Sequence, residues 1–131
     1  FISFYDEYKA LLYNMTKNGD EYIVQQAGEI KNPSRILSDV ANVYGISRTD
    51  SSISVFDKTT GKLVSIIELD KKPTDAIIIG TKIFIICSKE GYLDVYDIVQ
   101  NKIIERNSLG KDEFYSKITL MPDEKNAIIT G

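Results

Sequence analysis

The sequence predicts an all-β chain assembled from repeated units of four short antiparallel strands. The first observation behind this is a self-match. Laid over itself at an offset of 40 residues, the segment 33–71 falls on 73–111 without a gap, with Pro33 on Pro73, Ile46 on Ile86, Val55 on Val95, Asp57 on Asp97, Lys62 on Lys102, Leu69 on Leu109 and Lys71 on Lys111. The second is that short runs rich in β-branched and aromatic residues alternate with Gly-, Asn- and Asp-containing turn signals. The third is that helical periodicity is weak throughout; only residues 20–31 leave room for a helical turn or an extra strand.

Along the chain, Ile2-Ser3-Phe4-Tyr5-Asp6 lines up with Ile53-Ser54-Val55-Phe56-Asp57 and with Leu93-Asp94-Val95-Tyr96-Asp97, so an aromatic-Asp pair closes a strand three times. Residues 1–13, with Leu11-Leu12-Tyr13 as a following strand, read as the end of one unit, and 14–32 read as an insertion. Residues 33–71 form the next unit, with strands expected at 42–47, 52–57 and 62–69. Residues 72–111 form the clearest one, with strands at 75–79, 82–88, 92–97 and 102–105 and turns at Gly80-Thr81, Lys89-Glu90-Gly91 and Val99-Gln100-Asn101. Residues 112–131 start another unit, in which Ala127-Ile128-Ile129-Thr130-Gly131 resembles Phe84-Ile85-Ile86-Cys87-Ser88. The first two strands of a unit are apolar on both faces, as strands buried between neighbouring sheets must be; the third and fourth carry more polar residues.

Four short strands every 40 residues, with an aromatic-Asp pair ending the third, resembles a blade of the WD40-like β-propeller superfamily. By that resemblance Asp6, Asp57 and Asp97 are structural turn residues, and Tyr5, Phe56 and Tyr96 stand where a Trp usually does. The chain has neither His nor Trp, so the family's Gly-His and Trp-Asp pairs are absent and it resembles a divergent member. The segment 83–93 also looks like a quinoprotein-type repeat, without that family's Trp-docking pattern. Propellers close with about 4–8 blades, and a blade buries its faces on its neighbours. A chain of 131 residues is therefore expected to be part of a larger propeller, with the remainder in further sequence or on another chain.

Composition narrows the chemistry. At 43% apolar, 27% charged and a formal net charge of −3, the chain reads as an ordinary soluble domain with no phosphate-binding surface, and direct nucleic-acid contact is not expected. Without His there is no Ser-His-Asp triad, no imidazole proton shuttle and no His-ligated metal. The eight Gly are scattered, no CxxC or Ca²⁺-loop spacing occurs, and Cys87 lies in the apolar run 82–87 as a small core residue. The Asn14-Met15-Thr16 sequon is a short motif of little weight. No apolar stretch is long enough to span a membrane, and an intracellular site, cytoplasmic or nuclear, is expected.

These exclusions favour a non-enzymatic scaffold that binds other protein subunits within a larger complex, with no cofactor and no metal. Two alternatives stay open: a quinoprotein-like propeller enzyme whose active residues lie elsewhere, and a propeller subunit of a ribonucleoprotein. In families of this kind, the loops before the first strand and between the second and third strands share one face that receives partners. Here that face comprises Arg48 and Asp50, Lys71 and Lys72, Lys89 and Glu90, and Phe114-Tyr115.

Overall fold

In a computed structural model of the chain, residues 2–5 are described by their backbone, and residues 9–110 and 115–131 in full. Asp6 and Phe114 lie outside the described residues. Every regular element among the described residues is a strand: β1 Ile2–Tyr5, β2 Lys9–Asn18, β3 Glu21–Lys31, β4 Arg35–Ser38, β5 Asn42–Ser47, β6 Ser52–Asp57, β7 Leu63–Glu68, β8 Asp75–Ile79, β9 Lys82–Cys87, β10 Tyr92–Asp97, β11 Lys102–Ser108, β12 Lys117–Leu120 and β13 Ala127–Thr130. No helix among them is long and apolar enough to cross a membrane. The chain divides into two compact units, Phe1–Glu68 and Leu69–Gly131.

The first unit holds a three-stranded sheet, β1-β2-β3, and a four-stranded sheet, β4-β5-β6-β7. Both are antiparallel meanders in which strands adjacent in sequence pair with each other. Strand β5 is buried on both faces, so both its pleats must be apolar or small. Ala10, Leu12 and Ile30 of the first sheet pack against Val43 and Phe56 of the second. Gly45 makes that approach possible, since a Cβ there would stand 2.5 Å from Ile30 Cγ2.

The second unit repeats the four-stranded meander as β8-β9-β10-β11 and adds the hairpin β12-β13. Its core joins Ile77 and Ile86 to Ile118, ringed by Ile79, Phe84, Leu93, Leu109, Leu120 and Ile129. The buried Asp75 carboxylate accepts from Ile118 N at 3.0 Å, tying β12 to the edge of β8. In both units the fourth strand is the exposed one, and in β7 it is apolar nonetheless, with Leu63, Val64 and Ile66 in solvent.

One irregularity recurs in all three long hairpins. The pairing of β6 with β7 skips Val64 between Val55 and Phe56, that of β10 with β11 skips Ile104 between Val95 and Tyr96, and that of β2 with β3 skips Ala27 between Leu12 and Tyr13. The shared bulge fixes which strands correspond. Tyr13-Asn14 stand in step with Phe56-Asp57 and Tyr96-Asp97, whereas Tyr5 ends β1 opposite Ala10. Thus β2 takes the place of a third strand and β3 that of a fourth. The segment 14–32 is no separate insertion but most of this hairpin, drawn out: residues 14–25 separate Tyr13 from Gln26, where only 57–62 separate Phe56 from Leu63 and 97–102 separate Tyr96 from Ile103.

Backbone signs repeat with the same period. Ser51 (φ 50°) matches Gly91 (φ 75°), and Gly61 (φ 70°) matches Asn101 (φ 55°). Left-handed backbone suits Gly and strains residues that carry a Cβ. Ser51→Gly is therefore expected to stabilise the fold by about 0.5 kcal/mol, the relief exceeding the added unfolded-state entropy. Gly91→Ala, whose Cβ would meet Gly110 O at 2.8 Å, is expected to cost about 1–2 kcal/mol. Denaturant midpoints check both; equal midpoints for the two variants would show these positions to be unstrained.

Candidate interaction surface

One end of each four-stranded sheet is built by the same link. Ser34 N donates to Ile46 O at 2.6 Å, and Thr74 N donates to Ile86 O at 2.7 Å; Ser116 N donates to Thr130 O at 2.9 Å in the β12-β13 hairpin. The hydroxyls continue the pattern: Ser34 Oγ accepts from Arg48 N at 3.0 Å and Thr74 Oγ1 from Ser88 N at 3.2 Å. The segment entering the first strand is thereby tied to the turn between the second and third strands. In the first unit this end carries Arg48 and Asp50, both exposed. In the second it carries Lys71, Lys72, Lys89 and Glu90.

Within the second unit, Arg106 organises this end. Its Nε and Nη2 donate to Asp94 Oδ1 and Oδ2 at 2.7 and 2.8 Å, while Nη1 and Nη2 donate to Asp70 Oδ2 and Oδ1 at 3.1 and 2.8 Å. Asp94 is buried at 2% exposure and sits directly opposite Arg106 in the β10-β11 register, so burial without this partner would strand a charge. Asp70 precedes β8 and anchors the incoming loop to β11. The hydrogen bonds from Arg106 hold the Asp70 carboxyl below its ordinary value, and the two carboxylates drive the guanidinium's pKa further up. Arg106 Cζ and Lys71 Nζ lie 5.3 and 5.6 Å from the Tyr92 ring centroid, which steadies two cations on one half-buried aromatic.

The other residues singled out by sequence divide clearly. Asp57 Oδ1 accepts from Thr59 N and Thr60 N at 2.9 and 2.8 Å, and Asp97 Oδ1 from Val99 N and Gln100 N at 2.8 and 3.0 Å. These are Asx turns that close the third-to-fourth strand connection. Phe56 and Tyr96 beside them are buried. Lys72 and Lys89 are exposed and Lys71 half-buried. Glu90 is half-buried, its Oε2 enclosed without a hydrogen-bond partner among the described residues. Tyr115 is half-buried ahead of β12. Sequence reasoning does not single out Asp94, Arg106 or Asp70; the one signal is an Asp in the middle of the third strand, where the preceding unit has Ser54.

The same Asx geometry appears at Asp39 and Asp123. Asp39 Oδ1 accepts from Ala41 N and Asn42 N at 2.8 and 2.7 Å, and Asp39 Oδ2 from the Tyr44 hydroxyl at 2.7 Å. Burial and this bond to Asp39 push the Tyr44 phenol up to about 12. Asp123 Oδ1 accepts from Lys125 N and Asn126 N, both at 3.0 Å. Cys87 is fully enclosed; burial first, then the charges of Asp94 and Glu90, push its thiol up to about 12, which leaves almost no thiolate at neutral pH. Among the described residues no group of three Cys, Asp or Glu side chains could hold a metal ion.

Comparison with known proteins places this architecture. No family model matches the chain, and no curated protein matches it. Solved structures do. Hydrazine synthase of Kuenenia stuttgartiensis is 20% identical, with a TM-score of 0.65 over 75% of this chain and 28% of its own. BamB from Moraxella catarrhalis is 16% identical, with a TM-score of 0.61 over 92% of this chain and 38% of its own. AztD from Citrobacter koseri is 15% identical, with a TM-score of 0.57 over 81% of this chain and 31% of its own. All three are propeller structures, so the four-stranded sheets are propeller blades and the chain is a partial β-propeller-like protein. It spans well under half the length of each structure it resembles.

Two consequences are measurable. Arg106→Met leaves Asp94 buried without its cation, and about 2–3 kcal/mol of stability is expected to be lost, toward the low end for a broken buried pair because the guanidinium is partly solvated. An unchanged unfolding midpoint would show the pair to be idle. The second concerns acid. Asp57, Asp70, Asp97 and Asp123 are held below the ordinary aspartate value of about 3.9 by their donors, and Asp39 likewise once its hydrogen bonds outweigh burial. Their contribution to folding is complete above that pH and is lost as pH falls through the lower folded values. Stability measured by denaturant titration should be flat from neutrality to about pH 5 and fall steeply below about pH 4.

Proposed function

We propose that this chain is a non-enzymatic protein–protein interaction scaffold, a WD40-like propeller domain that holds partner subunits within a larger complex inside the cell. The observation that carries the reading is the recurring sheet end. Both four-stranded sheets tie the same two loops together through a Ser or Thr and present charged side chains there: Arg48 and Asp50 in one, Lys71, Lys72 and Lys89 in the other. Rigid, pre-organised loops bearing charge beside an aromatic such as Tyr92 are the material of a specific contact.

The ionisable groups point the same way. Among the described residues Asp57 and Asp97 close turns, Asp70 and Asp94 neutralise Arg106, and the Cys87 thiol is buried with its pKa pushed up, a pattern that supports a structural rather than a catalytic role for these groups. The cations are too few, in a chain of net charge −3, to track a phosphate backbone. The single cysteine is free, in keeping with a reducing compartment.

Affinity capture from extracts of the source cells, comparing the natural chain with a variant carrying Arg48→Glu, Lys71→Glu, Lys72→Glu and Lys89→Glu, tests this reading. Co-purifying proteins are expected to fall by about tenfold or more, since like-charge contacts cost at least that at an interface. Circular dichroism of the two should agree. A variant that keeps the fold and every partner would overturn the proposal.

A further inference from the structure

The drawn-out hairpin of the first unit ends in Asn18-Gly19-Asp20, and this tip has a chemistry of its own. We propose that Asn18 is a site of spontaneous deamidation, converted through a cyclic imide to isoaspartate and aspartate in the folded protein. The reaction needs a side-chain amide that no partner restrains, a following residue without a side chain, and a backbone amide free to leave its ladder. The β2-β3 pairing ends at Asn18 and Glu21, so the Gly19 amide lies in the turn beyond the last cross-strand pair. Gly19 adopts φ 66° with nothing within 4 Å of where a Cβ would stand, and residues 15–26 are all exposed. Glycine gives the amide nitrogen the shortest and least obstructed approach to the side-chain carbonyl carbon.

The other six asparagines are each held back. Asn14 Nδ2 donates to Thr59 O at 3.2 Å, and Asn126 Nδ2 donates to Asp123 Oδ2 at 2.6 Å. Asn32 precedes Pro33, whose nitrogen carries no hydrogen. Asn42 is followed by the β-branched Val43, and Asn101 by Lys102. Asn107 is followed by Ser108, which remains in the β10-β11 ladder opposite Tyr92. Asn18 is the one position where sequence, exposure and backbone freedom coincide.

The chemistry balances with water alone. Gly19 N attacks Asn18 Cγ, the new C–N bond forms, and the side-chain nitrogen leaves as ammonia. Water then opens the imide at either carbonyl: one cleavage restores the chain as aspartate, the other routes the backbone through the former side chain as isoaspartate. Either product adds a negative charge to the formal −3, and isoaspartate also lengthens the backbone at the tip by one methylene. The hydrophobic core is untouched, because no residue of the hairpin beyond Tyr13 and Gln26 enters it.

Incubation of the intact chain at mildly alkaline pH, followed by peptide mapping and enzymatic isoaspartate methylation, tests the proposal. Trypsin isolates Asn18 in the peptide 18–31, whose other side-chain amides are the glutamines Gln25 and Gln26. The expected result is isoaspartate in excess over aspartate in that peptide, with the other asparagines intact, a slowing by an order of magnitude in Gly19→Ala, and no product in Asn18→Gln. A denaturant-unfolded sample run in parallel separates the folded tip from the bare dipeptide. Conversion confined to the unfolded sample, or conversion at another asparagine in the folded chain ahead of Asn18, would overturn it.

Discussion

A single skipped residue in each long hairpin is the constraint from which the rest of the arrangement follows. An unpaired residue in one strand raises the local right-handed twist and bends the hairpin. It also exchanges the faces beyond it, since strand side chains alternate with a period of two. Val64 and Ile104 are the skipped residues, and on the partner strands Phe56 and Tyr96 immediately beyond the bulge are buried. The next residue, Asp57 or Asp97, is thereby delivered to the mouth of the turn, where its carboxylate can accept two backbone amides. Aromatic, Asp, turn and left-handed backbone at Gly61 or Asn101 form one causal sequence that begins at the bulge.

The 40-residue repeat was legible because each unit reuses this sequence, and the strands of the second unit fall where the turn signals place them, β8 at 75–79 and β10 at 92–97. The first sheet is harder to read from residue types, and Asp6 lies outside the described residues. Residue types pointed to Tyr5-Asp6, but the register gives that place to Tyr13-Asn14, where an amide replaces the carboxylate and the strand runs on for four more residues instead of turning. A motif read from side-chain identity is blind to pairing, and pairing decides equivalence. The Arg106 cluster was hidden for a related reason: its partners are 12 and 36 residues away, and only the β10-β11 register together with the entry of the loop at Asp70 brings them to one guanidinium.

The charge arrangement separates what holds the fold from what is offered to the outside. Asp94 is buried, and its guanidinium partner also grips Asp70, so Arg106 has little left with which to bind anything else. Lys72 and Lys89, by contrast, stand exposed on loops that are rigid because Thr74 and Ser88 lock them together at 2.8 Å. Restrained loops lose less entropy when a partner orders them, so modest charges there count for more than the same charges on free segments.

The hairpin β2-β3 shows how much of a blade can change without disturbing it. Its bulge sits where the other two hairpins have theirs, Leu12 and Ile30 still meet Val43 and Phe56, and Gly28 still lies against the Gly61 carbonyl, 2.6 Å from where a Cβ would stand. The extra length begins past the bulge, on residues that are exposed on both strands. Lengthening there adds cross-strand pairs without adding a buried group that must be satisfied, so neither register nor core resists it. The same physics leaves the tip lightly held: residues 15–25 are exposed and none belongs to the buried cluster, so opening the last pairs costs mainly ladder hydrogen bonds that water replaces. A fold defined by bulge and core therefore leaves the hairpin tip free to vary, to react and to be read by whatever approaches it.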